Sequence, residues 1–290
     1  MKPIRQYYLK VGNANEVGFH ENASTDLCLE ERRGTVRTNA KIAVVEHKQK
    51  IAERFSPDDI QNAQKRISQS MPVVTKLFDQ MRNRERPSLN DAHAFIKDLM
   101  TSGENVAAIS ALAKLKNSDE ASFLHSLSVS ALIIVFARAL RLPEPVIHEL
   151  AMGGLVHDIG KAAIPISILR KRGRLTAGEI CIVQKHPACG FEMLKSISGV
   201  SDEVLDITLY HHEKIDGTGY PKGLMGEAIT INVRIAAICD VYDALTSIRP
   251  YKPALSLDES LSMMTAAKGH FDPVLLREFT SLVIESETVF

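Results

Sequence analysis

The sequence predicts an all-α protein, and three observations carry that prediction. Helix-start residues recur in capping positions, apolar residues recur at helical spacing, and no succession of alternating β-branched runs follows residue 118. The expected organisation is a short N-terminal segment at 1–53, a helical connector at 54–117 and a helical domain at 118–290.

Residues 1–53 read as small and irregular or β-containing, because "LKVG", "TVRT" and "KIAVVEH" alternate around the polar "HENAST". A segment this short is small for a core of its own, so a remnant or tail is expected, its role unknown. "SPDDIQNAQKRI" then offers Ser56 as a cap, Pro57 at the first helical position and two acids in the first turn. Pro72 removes one backbone hydrogen bond, so this helix is expected to kink or stop there. "SLNDAHAFIKDLM" puts Leu89, Ala92, Phe95, Ile96 and Leu99 on one face of a second helix, and "NVAAISALAKL" reads as a third. These lead-in helices are expected either to pack on the following bundle or to form a dimer contact. "ASFLHSLSVSALIIVFARALRL" ends before Pro143, and "EPVIHELAMGGLVHDIG" ends near Gly160 and Pro165. Thr176 with Glu179 and Ser256 with Glu259 match capping boxes. Asp272 and Pro273 begin the last helix.

Composition narrows the function classes. The 290 residues are 45% apolar and 24% charged, as in soluble globular proteins. The 35 basic and 35 acidic residues balance, which argues against a nucleic acid polymer as partner. Cys28, Cys181, Cys189 and Cys239 form no CxxC, so reduced thiols in a cytoplasmic protein are expected rather than a zinc ribbon or a disulfide framework. The start lacks the apolar core of a secretory signal, and the longest apolar run, "ALIIVFA", is far short of a span, so no membrane insertion is expected.

The chemistry lies in the histidines. Of ten, five stand where they could be ligands: His125, His157, His186, and the adjacent His211 and His212, with Asp158 and Asp240 nearby. Each alone reads more readily as an ordinary core or surface residue. Their coexistence in order, separated by helix-length spacers, reverses that. His157 and Asp158 point about 100° apart on a helix, so they serve one cluster only where the helix ends. Imidazole and carboxylate together suit zinc, iron, manganese or nickel, and no thiolate is placed to select zinc. Seven donors exceed one four-coordinate ion and suit two ions sharing a carboxylate, about 3.5–4 Å apart, a pairing that activates water for displacement at phosphorus. His20, His47, His93, His148 and His270 read as structural or surface residues, with His148 notable for sharing the helix of His157.

"HSLSVS", "LVHDIGKAAIP", "KHPACG", "HHEKIDGTGYPKGL", "IAAICDVYDALTSIRPYK" and "FDP" resemble, in order and spacing, the HD-GYP domains. These are bacterial members of the HD phosphohydrolase superfamily that cleave cyclic di-GMP. The resemblance covers about 118–280 and does not reach 1–53. It implies an HD-type helical bundle with extra C-terminal helices. It implies His125, His157, Asp158, His186, His211, His212 and Asp240 as metal ligands, with Asp158 as the bridge. The cofactors it implies are two divalent metal ions, iron or manganese, with nickel and zinc left open. Some members hold a third metal with a glutamate one turn before the first histidine; here that position is Ala121.

The same resemblance implies a catalytic role for Lys161 with Asp158, and substrate contacts from Lys161, Tyr220, Asp243, Arg249 and Lys252. Gly217 and Gly219 would give the lip its backbone freedom, and Glu213 and Asp216 would hold it. The expected activity is hydrolysis of cyclic di-GMP to linear pGpG, with a further cut to GMP left open, by a hydroxide bridging the metals. Two other readings stand beside it: a phosphohydrolase of a related cyclic dinucleotide, and a non-enzymatic sensor or docking module. The complete donor set argues against the last. Expected partners are cyclic di-GMP and a diguanylate cyclase or other signalling proteins, with a homodimer left open.

Overall fold

Helices begin at Ser56, Thr176, Ser201 and Ser256, each capped by its own side chain. The computed structural model describes residues 48–49, 51–83, 85, 87–101, 105–113, 121–171, 173–247 and 255–285. The alternating stretches before residue 48, Cys28, Arg249 and Lys252 lie outside them.

Helix α1 (Pro57–Arg82) starts at Ser56, whose hydroxyl accepts from Asp59 N at 3.1 Å. It runs through Pro72, contrary to the expected stop. Ala63 and Ser70 before the proline, and Val74, Leu77 and Met81 after it, are all buried. Tertiary packing on both sides outweighs the one missing bond. Then come α2 (Asn90–Met100), α3 (Asn105–Ala113), α4 (Ala121–Ala139), α5 (Glu144–Val156) and a 3₁₀ turn (Ile159–Ala163). The short α6 (Ile166–Leu169) leads to α7 (Ala177–Val183), α8 (His186–Lys195) and α9 (Asp202–Tyr210). A loop carrying a second 3₁₀ turn (Gly226–Ala228) reaches α10 (Ile231–Thr246), and α11 (Leu257–Ala266) and α12 (Pro273–Glu285) close the chain.

Both capping boxes form, Thr176 with Glu179 and Ser256 with Glu259. Asp272 Oδ1 accepts from Val274 N and Leu275 N, at 2.9 and 3.1 Å. Among the described residues there is no strand, only an isolated bridge between Asp216 and Met225, so the fold is all-α there. No helix of the described residues is long and apolar enough to cross a membrane.

Helix α4 explains how the helices assemble. It is buried on opposite faces along most of its length. One face, with Leu124, Leu127, Ala131 and Ile134, joins a core with α1, α2, α3 and α5. The opposite face, with Val129, Leu132, Ile133 and Phe136, joins a second core with α10, α11 and α12. Ser130 Oγ, buried in this helix, donates to Ala151 O at 2.8 Å. The lead-in helices therefore pack on the bundle.

Buried Arg234 anchors the second side. It donates to Ile229 O, Gly226 O and Asp272 Oδ2, each at 2.8 Å, joining the loop before α10 to the start of α12.

Candidate metal centre

The helices bring all seven predicted donors to one place, and three of the histidines arrive by the same device. The last carbonyls of a helix have no partner within it. His157 follows α5 and its Nδ1 donates to Gly154 O at 2.8 Å. His186 comes three residues after the last residue of α7 and donates to Val183 O at 2.8 Å. His211 caps α9 and its Nδ1 meets Ile207 O and Thr208 O, both at 3.1 Å. Each bond places the proton on Nδ1 and leaves the Nε2 lone pair to the centre, the form in which imidazole binds metal.

His125 is held differently. It lies in α4, and its Nδ1 stands 2.6 Å from Asp243 Oδ2 of α10. Its Nε2 stands 3.0 Å from Asp240 Oδ1, one turn earlier on the same helix. Asp243, expected at the substrate, is fully buried and has its Oδ2 beside His125.

Asp158 lies between two groups of donors. Its Oδ2 is 3.4 Å from His157 Nε2 and 3.8 Å from His125 Nε2. Its Oδ1 is 3.2 Å from His186 Nε2 and 3.9 Å from His211 Nε2. His125, His157 and Asp158 offer ligand atoms within 4.8 Å of one another, and so do His186, His211 and His212. Lys161, one turn on in the 3₁₀ segment, donates to Asp158 Oδ2. The turn can press against α8 because residue 160 is glycine: a Cβ there would meet His186 O at 1.9 Å.

The donor chemistry fits a metal. His186 Nε2 and His211 Nε2 are 3.2 Å apart, each with its proton on the other nitrogen, so two lone pairs face each other. His157 Nε2 is buried without a hydrogen bond. Lone pairs so placed repel unless a cation stands between them, and burial of unmet polar atoms is costly. The electrostatics agree. Burial pulls His157 down, but the Asp158 and Asp240 charges prevail and raise it. Burial, then His212 and His157, hold His211 well below its ordinary value. Burial would raise Asp158, but Lys161 and His157 keep it well below the usual carboxylate range. Asp240 is likewise lowered against its burial, chiefly by His125.

The glycine-rich lip folds back on the double histidine. Tyr220 N donates to His212 O at 3.2 Å, and the Tyr220 ring stacks on His212 with centroids 4.7 Å apart. Buried Glu213 accepts from Lys222 N and Leu224 N, at 2.6 and 3.0 Å. Asp216 Oδ1 accepts from Thr218 N at 2.9 Å. Gly217 has the positive φ of 80° that was expected of it. Gly219 does not; it is needed for space, since a Cβ would meet Lys214 N at 2.4 Å and His212 O at 2.6 Å.

The carbonyl acceptors of the histidines and the contact between Asp243 and His125 were missed by sequence reasoning. A signal existed for the carbonyls: each of these histidines follows shortly after a helix end.

The HD domain family model matches residues 104–275. A cyclic di-GMP phosphodiesterase of Pseudomonas aeruginosa is 42% identical over 229 residues, 78% of this chain and 55% of that protein. A 3′3′-cGAMP-specific phosphodiesterase of Vibrio cholerae is 41% identical over 143 residues, 49% of this chain and 33% of that one. The chain thus spans about half or less of the length of the curated relatives it matches. An HDG"Y"P protein from Bdellovibrio bacteriovorus shares the fold, with a TM-score of 0.60 at 18% identity, covering 88% of this chain and 81% of that one. With its helical bundle, its adjoining His157 and Asp158, and the family model that matches more than half of its length, the chain belongs to the HD domain family.

Proposed function

We propose that the chain is a two-metal phosphodiesterase of cyclic dinucleotides, with cyclic di-GMP as substrate and linear pGpG as product. The observation that carries this is the placement of Asp158, whose two oxygens face separate donor groups. One pocket comprises His125, His157, Asp240 and Asp158 Oδ2; the other comprises His186, His211, His212 and Asp158 Oδ1. Two divalent ions there, iron or manganese, would supply Lewis-acid charge and a nucleophilic water at neutral pH.

The chain's own residues do the rest. Hydrolysis forms a bond from water oxygen to phosphorus and breaks the bond from phosphorus to the 3′-oxygen, which must gain a proton. Lys161, bonded to Asp158 and about a third exposed, presents an ammonium where negative charge develops on the phosphate and at that oxygen. Tyr220, half-buried over His212, offers its ring or hydroxyl to a guanine at the lip. Arg249 and Lys252 remain proposed phosphate contacts, on chemistry alone. Asp243 and Glu213 position ligand and lip.

A second reading, a preference for the mixed cyclic GMP-AMP dinucleotide, is favoured by the similarity to the Vibrio cholerae relative named for that substrate. Anaerobic turnover assays with manganese or iron, run on each dinucleotide in parallel, test both. Faster cleavage of cyclic di-GMP to pGpG supports the first reading. Faster cleavage of the mixed dinucleotide replaces it with the second, and cleavage of neither with full metal loading overturns both.

A further inference from the structure

A second, smaller group of metal-ligating side chains stands away from this centre. His93 of α2 and His148 and Glu149 of α5 each offer a ligand atom within 4.8 Å of the others. The two imidazoles stack with centroids 5.2 Å apart and 9° between planes. His148 Nδ1 is 2.9 Å from Glu149 Oε1, and the other carboxylate oxygen accepts from Ser201 Oγ at 2.7 Å.

We propose that His93, His148 and Glu149 form a third cation site, for a single divalent transition metal of the zinc type. Two imidazoles and a carboxylate, with a position left for water, are a donor set that holds zinc in four-coordinate sites. Tetrahedral ligation at 2.0–2.1 Å needs donors about 3.4 Å apart. These side chains are all partly exposed, His148 and Glu149 at 22% and 29%, so rotation about their side-chain bonds can close the gap. Ser201 fixes the carboxylate from outside, as an outer partner orients a ligand.

The position of this site gives it a consequence. Helix α5 runs from His148 to His157, and α9 runs from its cap Ser201 to its cap His211. At 1.5 Å per residue the far ends lie about 14–15 Å away, in the proposed catalytic centre. A cation at the distal end therefore ties the connector helix α2 to both helices whose other ends present His157 and His211.

The test counts metal in the full-length chain. Wild type, His93→Gln and His148→Gln are equilibrated with excess zinc, desalted and measured by elemental mass spectrometry. The wild type is expected to retain one equivalent more than either variant. Hydrogen exchange in α2 is expected to slow on zinc addition in the wild type alone. Two variants guard against one failing to fold. Equal zinc contents, or equal protection of α2, leave the group a hydrogen-bonded latch and overturn the proposal. Asp158→Ala should keep this equivalent, which separates the site from the catalytic pair.

Discussion

His125 and Asp243 lie 118 residues apart in sequence and 2.6 Å apart in space. With Asp240 at its other nitrogen, the His125 ring is bracketed by two acids of one helix. Asp243→Ala should leave Nδ1 without its partner and weaken metal affinity about 10–100-fold. Asp243→Asn, which keeps an acceptor oxygen, should restore most of it. Competitive chelation measures both, and equal affinity in wild type and alanine variant would refute the orienting role.

Asp158 and Asp240 should differ in what their loss removes. Asp158→Ala takes an oxygen from each pocket, whereas Asp240→Ala takes one from a single pocket. The first is expected to abolish turnover and lower bound metal by more than one equivalent. The second should lower it by about one. Metal counts with circular dichroism controls decide the matter.

Gly219→Ala should act on the lip and spare the bundle. The added methyl would sit 2.4 Å from Lys214 N, so the backbone must move and Tyr220 with it. KM for the dinucleotide should rise several-fold while the melting temperature changes little. An unchanged KM removes the lip from substrate binding.

Acid should weaken the metal-free protein through its buried histidines. Burial lowers His212 to about 4, against Asp240 and with His186, and burial with Lys214 lowers His270 to about 4. His211 is lowered too. From about pH 6.5 down to 4 the unfolded chain then binds more protons, so stability is full above that window and falls through it. His157 runs the other way: its value is raised, so its contribution is full at acid pH and lost as pH rises. The lowered groups prevail, and the urea midpoint in chelator should be lower at pH 5 than at pH 7.5.

The last helix should be integral to the bundle. Phe279 of α12 is fully buried, edge-on to Phe136 of α4 and Tyr242 of α10, each at 5.1 Å. Phe279→Ala should cost about 3–5 kcal/mol by denaturant unfolding. A loss under about 1 kcal/mol would mean that α12 is peripheral.

Helix starts were legible because capping is local. Ser56, Thr176, Ser256 and Asp272 act on backbone atoms within three residues, whatever the rest of the fold does. That the helix continues past Pro72 was not legible for the complementary reason, since packing on both sides decides it. The gathering of the seven histidines and acids was legible from residue type and order. Asp243 was not, because its sequence position beside Asp240 and the basic "RPYK" suggests a phosphate contact, while only the packing of α4 on α10 shows it turned inward to His125. Gly219 was recognised but for a different reason, as close approach is invisible in sequence. His148 drew notice through His157, and its neighbour His93 comes from another helix altogether.

The meeting of helix ends has an electrostatic consequence. An α-helix carries roughly half a unit of negative charge at its C-terminus. Helices α5, α7 and α9 all point that end toward the imidazoles they anchor. Backbone dipoles alone thus make the centre attractive to cations, before any side chain ionises. Neutralising one acid there should weaken the grip on metal without reversing the sign of the field.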